Sequence, residues 1–363
     1  MNRVDPKFKD KLKPYGISDW NECFHCGNCT AICSHSEDSL LMPRNGIRAI
    51  QLGLKDKIHN NVDPWLCYYC GDCSEECPRN ANPGELMMAL RRYLTTVYDW
   101  TGVSRIFYTS RTVMIAAFLI VAAAVVGIGA MYSFQLEPIM EFGHLFEKIA
   151  IISVAAFILL PNIIRMFRLT LIKQKIKVPL STLLSGIADL VINMFTQKKT
   201  LDCKENRVRW FEHFILVLGY LLLLATTVFL NWFGTDNIYI IIFGYVVGAI
   251  TFIVTFDFII RRIRKKAEIS KFSHLSDWMF VVWLFLMGLS TFLIRVFIDI
   301  GIIQDHLWLY LVHLIILAQW AVIIVPFGKW MHFLYRSFAI YIAEMKKKAL
   351  SLKQQNQVTT ITA

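Results

Sequence analysis

The pattern of hydrophobic and polar positions divides the chain into two parts. Residues 1–100 mix short apolar and polar stretches, and the later residues hold six long apolar segments. Each of these is about 20 residues long, the length that a helix needs to cross the hydrocarbon core of a bilayer. Hydrophobic residues make up 56% of the 363 residues, more than an ordinary soluble protein contains. The predicted spans lie near 112–134, 146–168, 210–233, 238–260, 277–298 and 307–327.

The polar first hundred residues are predicted to be helical as well. Ile47, Ile50 and Leu54 recur at the spacing of one face of an amphipathic helix. A second helix is predicted over Gly84–Tyr98. The fold class is therefore all-α. The predicted domains are a helical domain over 1–100, a six-helix transmembrane domain over 101–345 and a polar C-terminal tail over 346–363.

The positive charge of the chain follows the apolar segments. A net charge of +11 suggests nucleic acid as a partner. The basic residues, however, stand beside the predicted spans, as is typical of membrane proteins. We therefore expect that the protein does not bind nucleic acid. One side carries basic runs such as 261–266 and 346–348, whereas the opposite loops hold Glu137, Asp236 and Asp305. The positive-inside rule then predicts that both termini and the polar domain face the cytoplasm, in the inner membrane of a prokaryotic cell.

One further segment, 178–195, is apolar in places but contains Asp189 and Asn193. Lysines flank both of its ends, so a transmembrane orientation would put positive charge outside. We expect an interfacial amphipathic helix on the cytoplasmic face.

Eight of the nine cysteines form two runs with the spacing C-x2-C-x2-C-x3-C, over Cys23–Cys33 and Cys67–Cys77. This spacing is typical of the iron–sulfur ligands of two-cluster ferredoxins. Gly27 and Gly71 stand between ligands, where a tight turn with positive φ is expected. The ninth cysteine, Cys203, is expected to be a bystander on a polar loop.

Two other uses of the cysteines are disfavoured. Zinc sites usually combine two C-x2-C pairs instead of four cysteines in one run. No secretory signal is seen over residues 1–13, so a reducing compartment, in which disulfides are rare, is expected. In two-cluster ferredoxins the fourth cysteine of each run binds the other cluster, and this resemblance implies two [4Fe-4S] clusters. The expected ligands are Cys23, Cys26, Cys29 and Cys77 for the first cluster, and Cys67, Cys70, Cys73 and Cys33 for the second.

The residues between the two cysteine runs indicate a more specific family resemblance. Pro43-Arg44, Gln51, Gly53 and Trp65, together with both runs, resemble the helical ferredoxin that forms the C subunit of heterodisulfide reductase, over roughly residues 15–95. Ser34 departs from this family, which usually has proline after the fourth cysteine. The catalytic subunits of such complexes carry adjacent cysteines for disulfide cleavage, and this chain has no Cys-Cys pair. The resemblance therefore implies an electron-relay subunit with no catalytic residues of its own.

Histidines stand in or beside the apolar segments at two depths. Ionisable residues in spans indicate a function, and two histidines from different helices form the axial pair of a haem b. We expect an inner haem b on His213 and His332 and an outer haem b on His144 and His313. The sixth segment, with its two histidines and Pro326, resembles the last helix of the nitrate reductase gamma subunit type of cytochrome b, which implies two haems.

Three other polar residues are candidates for cofactor binding. Arg295 and Lys148, near the outer face, are expected to neutralise haem propionates, with a snorkelling side chain as the alternative. His274, at the start of the fifth segment, is expected to be a helix cap or a quinone-site residue.

The combination of this ferredoxin with this cytochrome b resembles the C subunit of the quinone-interacting membrane-bound oxidoreductase (Qmo) family. The resemblance implies that menaquinone is the substrate and that soluble flavin and iron–sulfur subunits are partners, with adenylylsulfate reductase as the final partner in dissimilatory sulfur metabolism. Two alternatives remain open: the same module in a heterodisulfide reductase-like or hydrogenase-linked complex, and a metal-binding membrane sensor without haem.

Overall fold

The structure, a computed structural model, describes residues 4–17, 19–36, 41–202, 207–266 and 268–362. All regular elements in these ranges are helical and none is a strand, which confirms the predicted all-α fold. Helices α1 to α8 are α1 (Phe8–Leu12), α2 (Asn28–Ile32), α3 (Arg44–Gln51), α4 (Lys55–His59), α5 (Asp63–Leu66), α6 (Asp72–Glu75), α7 (Pro83–Tyr98) and α8 (Val103–Thr109).

The remaining helices belong mainly to the apolar part of the chain. They are α9 (Arg111–Met131), α10 (Leu136–Val154), α11 (Leu160–Phe167), α12 (Leu180–Ser185), α13 (Ile187–Thr196), α14 (Arg207–Val228), α15 (Ile238–Arg264), α16 (Glu268–Lys271), α17 (Leu275–Asp299), α18 (Leu307–Gln319), α19 (Val325–Phe327) and α20 (Met331–Thr362). Short 3-10 turns cover Lys13–Tyr15, Asp19–Glu22 and Lys198–Asp202, and π-helical turns cover Ala155–Leu159, Arg168–Ile172 and Trp320–Ile324.

The two helices predicted in the first hundred residues are present as α3 and α7. Ile47 and Ile50 are buried on one face of α3, as their spacing predicts. The helix ends at Gln51, so Leu54 lies beyond it, and the chain turns at Gly53 with a φ of 65°. A side chain there would meet the backbone of Asp5, because its Cβ would lie 2.4 Å from the Asp5 carbonyl oxygen.

Six helices among the described residues are long and apolar enough to cross a membrane, and they coincide with the six predicted spans. The second begins before its predicted start, and the sixth extends well beyond its predicted end. The segment predicted as an interfacial helix contains α12 and α13. The six long helices are Arg111–Met131, Leu136–Ile172, Arg207–Val228, Ile238–Arg264, Leu275–Asp299 and Leu307–Ser351.

The chain forms two compact units, and the first contains both cysteine runs. It comprises Met1–Arg105, Leu160–Arg207 and Met331–Ala363. In its core, α20 packs against α5 and α7 through three fully buried rings. The ring centroid of Tyr335 lies 5.3 Å from that of Trp65 and 5.2 Å from that of Tyr98. Because such aromatic pairs contribute about 0.5–1.5 kcal/mol each beyond their burial, this contact fixes α20 against the helices around the second run.

The second compact unit comprises Ile106–Leu159 and Val208–Trp330. Its helices pack in the order α15 on α17, α17 on α18, and α18 on α9. Gly288 permits a close approach of α15 and α17, since a Cβ there would lie 3.2 Å from the backbone nitrogen of Phe252.

The sixth long helix is interrupted near the end of this second unit. The sequence predicts a kink at Pro326, because proline removes one helix hydrogen bond. The chain passes through a π-helical turn before Pro326 and leaves the helix at Gly328, whose ψ is −159°. A Cβ at Gly328 would lie 2.7 Å from the carbonyl oxygen of Ile324, so glycine is needed where the backbone turns out of the helix.

Candidate metal centres

Four cysteines from both runs line one cleft in the first unit. Cys67, Cys70 and Cys73 of the second run share an open cleft of about 440 Å³ with Cys33 of the first run. Burial raises the pKa of the Cys33 thiol, and the thiols of Cys67 and Cys70 raise it further. The structure therefore brings together the four residues predicted for the second cluster.

The other four cysteines also come together. Burial raises the pKa of the Cys29 thiol to about 11, and the thiols of Cys23, Cys26 and Cys77 raise it further. The side-chain amide of Asn28 donates to the carbonyl of Glu76 at 2.6 Å and so joins the two runs beside this set.

Each run turns into a short helix at a glycine with positive φ. Gly27 has a φ of 91° before α2, and Gly71 has a φ of 105° before α6, as predicted from their places between cysteines. Helix α2 packs against α6. A residue with a Cβ is strained in this conformation, so glycine lets the third cysteine of each run turn back toward the first two.

Polar residues of the spacer hold the first run. The ring of His25 accepts a hydrogen bond from Arg44 Nε at 3.2 Å and pairs through Nε2 with the side-chain oxygen of Gln51 at 2.9 Å. The amide nitrogen of Gln51 donates to the carbonyls of Trp20, at 3.1 Å, and Cys23, at 2.8 Å. His25 therefore supports the first run through this network.

A buried arginine that the sequence pattern does not single out holds the second run. Arg91 on α7 is 8% exposed and donates from Nε to the carbonyl of Pro64 at 2.6 Å. Its Nη2 donates to the carbonyl of Trp65 at 3.3 Å and also to that of Cys67. These acceptors are the last carbonyls of α5 and the first cysteine of the run. Nothing in the local sequence signals this role, because its partners lie far away along the chain.

The residues around the thiols fit an iron–sulfur group. Backbone N–H groups of Tyr69 and Ala81 donate to the sulfur atoms of Cys67 and Cys77, both at 3.4 Å. Such hydrogen bonds favour bound thiolates and tune cluster potentials. Thiols that raise one another's pKa resist ionisation, and bound iron offsets this because metal binding releases their protons. Among the described residues, no group of three or more His, Cys, Asp or Glu side chains is close enough to hold a single metal ion.

Comparison with known proteins bears directly on this site. Residues 18–81 match the family model described as a 4Fe-4S dicluster domain. The match covers both cysteine runs and the helical spacer between them. The chain thus carries an iron–sulfur domain of dicluster type, as the spacing predicts.

The same part of the chain is similar to the C subunits of heterodisulfide reductases, which confirms the resemblance seen in the motifs. A protein of Archaeoglobus profundus that is named as similar to this subunit is 31% identical over 96 residues, 26% of this chain and 51% of the relative. The C subunit of the H(2):CoB-CoM heterodisulfide,ferredoxin reductase of Methanothermobacter marburgensis is 37% identical over 76 residues, 21% of this chain and 41% of the relative. The C subunit of the ferredoxin/F(420)H(2)-dependent CoB-CoM heterodisulfide reductase of Methanosarcina acetivorans is 35% identical over 81 residues, 22% of this chain and 49% of the relative.

The chain therefore spans about half the length or less of these three curated relatives. No solved structure matches the chain.

The predicted outer histidines both lie in the second unit. His313 on α18 is buried, and its Nδ1 pairs with the hydroxyl of Ser290 at 2.9 Å. This contact leaves Nε2 for a metal, as an axial ligand requires. His144 on α10 instead donates from Nε2 to the carbonyl of Val228 at 3.0 Å, which leaves Nδ1. The hydrogen bond at Nδ1 of His313 is compatible with a metal-bound imidazole, whereas His144 would have to give up its hydrogen bond to bind through Nε2.

The predicted inner histidines are divided between the units. His213 lies on α14 in the second unit, and His332 lies on α20 in the first. His332 lines a shallow pocket together with Lys199 and Arg336. The inner pair stays a prediction.

The three tentative cofactor residues have these surroundings. Arg295 is buried, donates to the carbonyls of Trp232 and Thr235 and forms an ion pair with Asp299 at 2.6 Å. Lys148 is exposed on α10. His274 caps the fifth long helix, since its ring accepts a hydrogen bond from the backbone nitrogen of Ser276 at 3.2 Å. The cap was one of the two expectations for His274.

Cys203, the ninth cysteine, lies outside the described residues.

Proposed function

We propose that the chain is a membrane-bound electron-transfer subunit with two [4Fe-4S] clusters. One observation carries this proposal: Cys33 of the first run lines the same cleft as three cysteines of the second. That arrangement supports the ligand exchange known from two-cluster ferredoxins. The proposed ligands are Cys23, Cys26, Cys29 and Cys77 for the first cluster, and Cys67, Cys70, Cys73 and Cys33 for the second.

A bound [4Fe-4S] cluster supplies one-electron redox chemistry between fixed sites. The protein contributes the thiol sets, the N–H groups directed at the sulfur atoms of Cys67 and Cys77, and the arginine that holds the second run. The two sets are neighbours, because α2, which contains Cys29, packs against α6, which contains Cys73. Nearness of this kind supports electron transfer from one site to the other.

In the membrane part, the proposal assigns two haems b and menaquinone as the substrate. His144 and His313 would hold the outer haem and His213 and His332 the inner one, and a haem b supplies one-electron redox chemistry when bound. Six helices able to cross a membrane support this assignment, as does the hydrogen bond to Nδ1 of His313. Arg295 stays a candidate for the propionates, although Asp299 already offsets its charge.

The proposed partners are soluble flavin and iron–sulfur subunits on the cytoplasmic face of a prokaryotic inner membrane. The relatives are named as C subunits of heterodisulfide reductases, which supports a role within a complex with other proteins. The link to adenylylsulfate reductase rests on the resemblance to the Qmo family alone. Co-purification from native membranes tests it: adenylylsulfate reductase should be retained, and a heterodisulfide reductase-like or hydrogenase protein in its place would refute the link.

The cluster assignment is tested by removing one exchanged ligand. In the purified full chain we expect eight irons and two reducible clusters by electron paramagnetic resonance, since each cluster contains four irons. Cys33→Ala should disturb the cluster of the second run, although Cys33 belongs to the first. Cys203→Ala is the matched control and should leave iron and both signals unchanged. Loss confined to the signal of the first run would refute the exchanged assignment.

The membrane assignment is tested by spectroscopy on the same preparation. The pyridine haemochrome should give two haems b per chain, and addition of a menaquinol analogue should reduce them. Absence of haem, or haem that does not respond to the quinol, would refute this part and leave the iron–sulfur part standing.

A further inference from the structure

Both cysteine runs carry an aromatic ring directly after the first cysteine, and an arginine lies over each ring. The guanidinium carbon of Arg79 lies 4.2 Å from the ring centroid of Phe24 in the first run. The guanidinium carbon of Arg336 lies 4.4 Å from the ring centroid of Tyr68 in the second. Both distances are within the range of a cation–π interaction. The contact thus recurs at the same position of the two runs.

The two arginines have different origins and surroundings. Arg79 follows the second run directly, pairs with Glu22 at 3.4 Å and covers a ring that is 69% exposed. Solvent and the carboxylate therefore screen its charge. Arg336 comes from α20, is partly buried and covers a buried ring. Its charge acts through a less polarisable environment and is screened less.

Packing on both sides fixes Arg336. The preceding residue, Tyr335, is fully buried between Trp65 and Tyr98. The ring under the guanidinium, Tyr68, lines the cleft of the second set of thiols. The position of the charge beside this cleft is thus set by the packing of α20.

We propose that Arg336 is a positioning residue that raises the reduction potential of the cluster in this cleft. The proposal rests on the proposed function, because it requires a cluster on Cys67, Cys70, Cys73 and Cys33. Reduction adds one electron and makes the cluster more negative by one charge. A positive charge held nearby stabilises the reduced form more than the oxidised form, so its removal lowers the potential. In the sequence, Arg336 stands only among the basic residues beside the spans.

The test is a redox titration of the purified full chain, followed by electron paramagnetic resonance with dithionite as the reductant. Arg336→Gln should make reduction of the second cluster on the order of tenfold less favourable, or about 59 mV for a one-electron couple. Arg336→Lys keeps the charge, so the reduction potential of the second cluster should stay close to that of the wild-type chain. Arg79→Gln is the matched control, and it should change only the first cluster and by a smaller amount.

The outcomes separate this proposal from the proposed function. Two intact clusters with an unchanged second potential in Arg336→Gln would overturn the role of Arg336 and leave the electron-transfer function standing. A wild-type chain without clusters would refute the proposed function itself. Should Arg336→Gln fail to fold, Tyr68→Leu removes the ring that holds the guanidinium and should lower the same potential. An unchanged potential in a folded Tyr68→Leu variant would overturn the proposal as well.

Discussion

Replacing Arg91 by leucine should loosen the second cysteine site more than the rest of the first unit. Its guanidinium donates to the carbonyls of Pro64, Trp65 and Cys67 and is nearly buried. Leucine keeps most of the apolar stem of the side chain and removes all three donors. The last carbonyls of α5 then lose their partners at a place that water reaches poorly, and the first thiol of the run loses its anchor.

The expected loss in the free energy of unfolding is about 3–5 kcal/mol. A hydrogen bond from a charged group contributes roughly 1.5–3 kcal/mol, and a buried carbonyl left without a partner adds its desolvation cost. The three bonds share one guanidinium, so their contributions do not add fully. A stable domain has only about 5–15 kcal/mol in total, so the variant should fold marginally in the absence of clusters. Arg91→Lys restores the charge without the planar fork and should recover only part of the loss.

The assay compares cluster loss with unfolding in the detergent-solubilised full chain. Visible absorbance of the clusters and circular dichroism of the helices are followed against urea. Arg92→Leu is the matched control, because Arg92 lies next on α7 and is equally buried. It binds the carbonyl of Tyr15 and the carboxylate of Glu85, both at 2.8 Å, and its link to the second run is indirect, through the hydrogen bond that the Tyr69 hydroxyl donates to Glu85 at 3.0 Å.

In Arg91→Leu the second cluster should be lost before the helices unfold, whereas in Arg92→Leu the two changes should coincide. Coincident transitions in both variants would refute the view that Arg91 holds the second cysteine run.

Three further predictions concern single residues. Burial lowers the pKa of His59 to about 4, so its contribution to stability is complete above the unfolded pKa of about 6.5 and is lost as the pH falls toward 4. This contribution amounts to at most about 3 kcal/mol. His59→Gln should therefore reduce the dependence of the melting temperature on pH between these two values. Gly71→Ala strains a backbone with a φ of 105° and should lower the iron content, whereas Gly102→Ala, at a φ of 78° with open space around it, should keep the iron. His313→Ala should remove one haem from the pyridine haemochrome, and His306→Ala, at the N-terminal end of the sixth long helix, should retain both. Equal haem in the two variants would exclude His313 as a ligand.

The elements that follow local rules were predictable from the sequence. Helical spacing located α3 and α7, and the length of the apolar segments located the six long helices. The positive φ of Gly27 and Gly71 followed from their places between cysteines. In each case the cause lies within a few residues of the effect.

The features that depend on distant partners were not predictable. From the sequence alone, Arg91 is an ordinary helix residue, and only the structure shows its three carbonyl acceptors. Arg336 is likewise one of the basic residues beside a span, and only the structure shows its contact with Tyr68. The irregular sixth helix shows an intermediate case. Its proline predicted a kink, but the position of the break at Gly328 depends on the close approach of the Ile324 carbonyl.

The proposed exchange of cysteines between the runs would make the two clusters interdependent. Each proposed set takes three thiols from one run and one from the other, so neither can be completed while the runs are apart. The bond from Asn28 to the carbonyl of Glu76 and the contact of α2 with α6 stabilise the same arrangement. The second set also depends on α20, which contributes Tyr335 to the core and Arg336 to the edge of the cleft. Metal binding and the packing of this last helix must therefore stabilise each other, because both require the second run in one conformation.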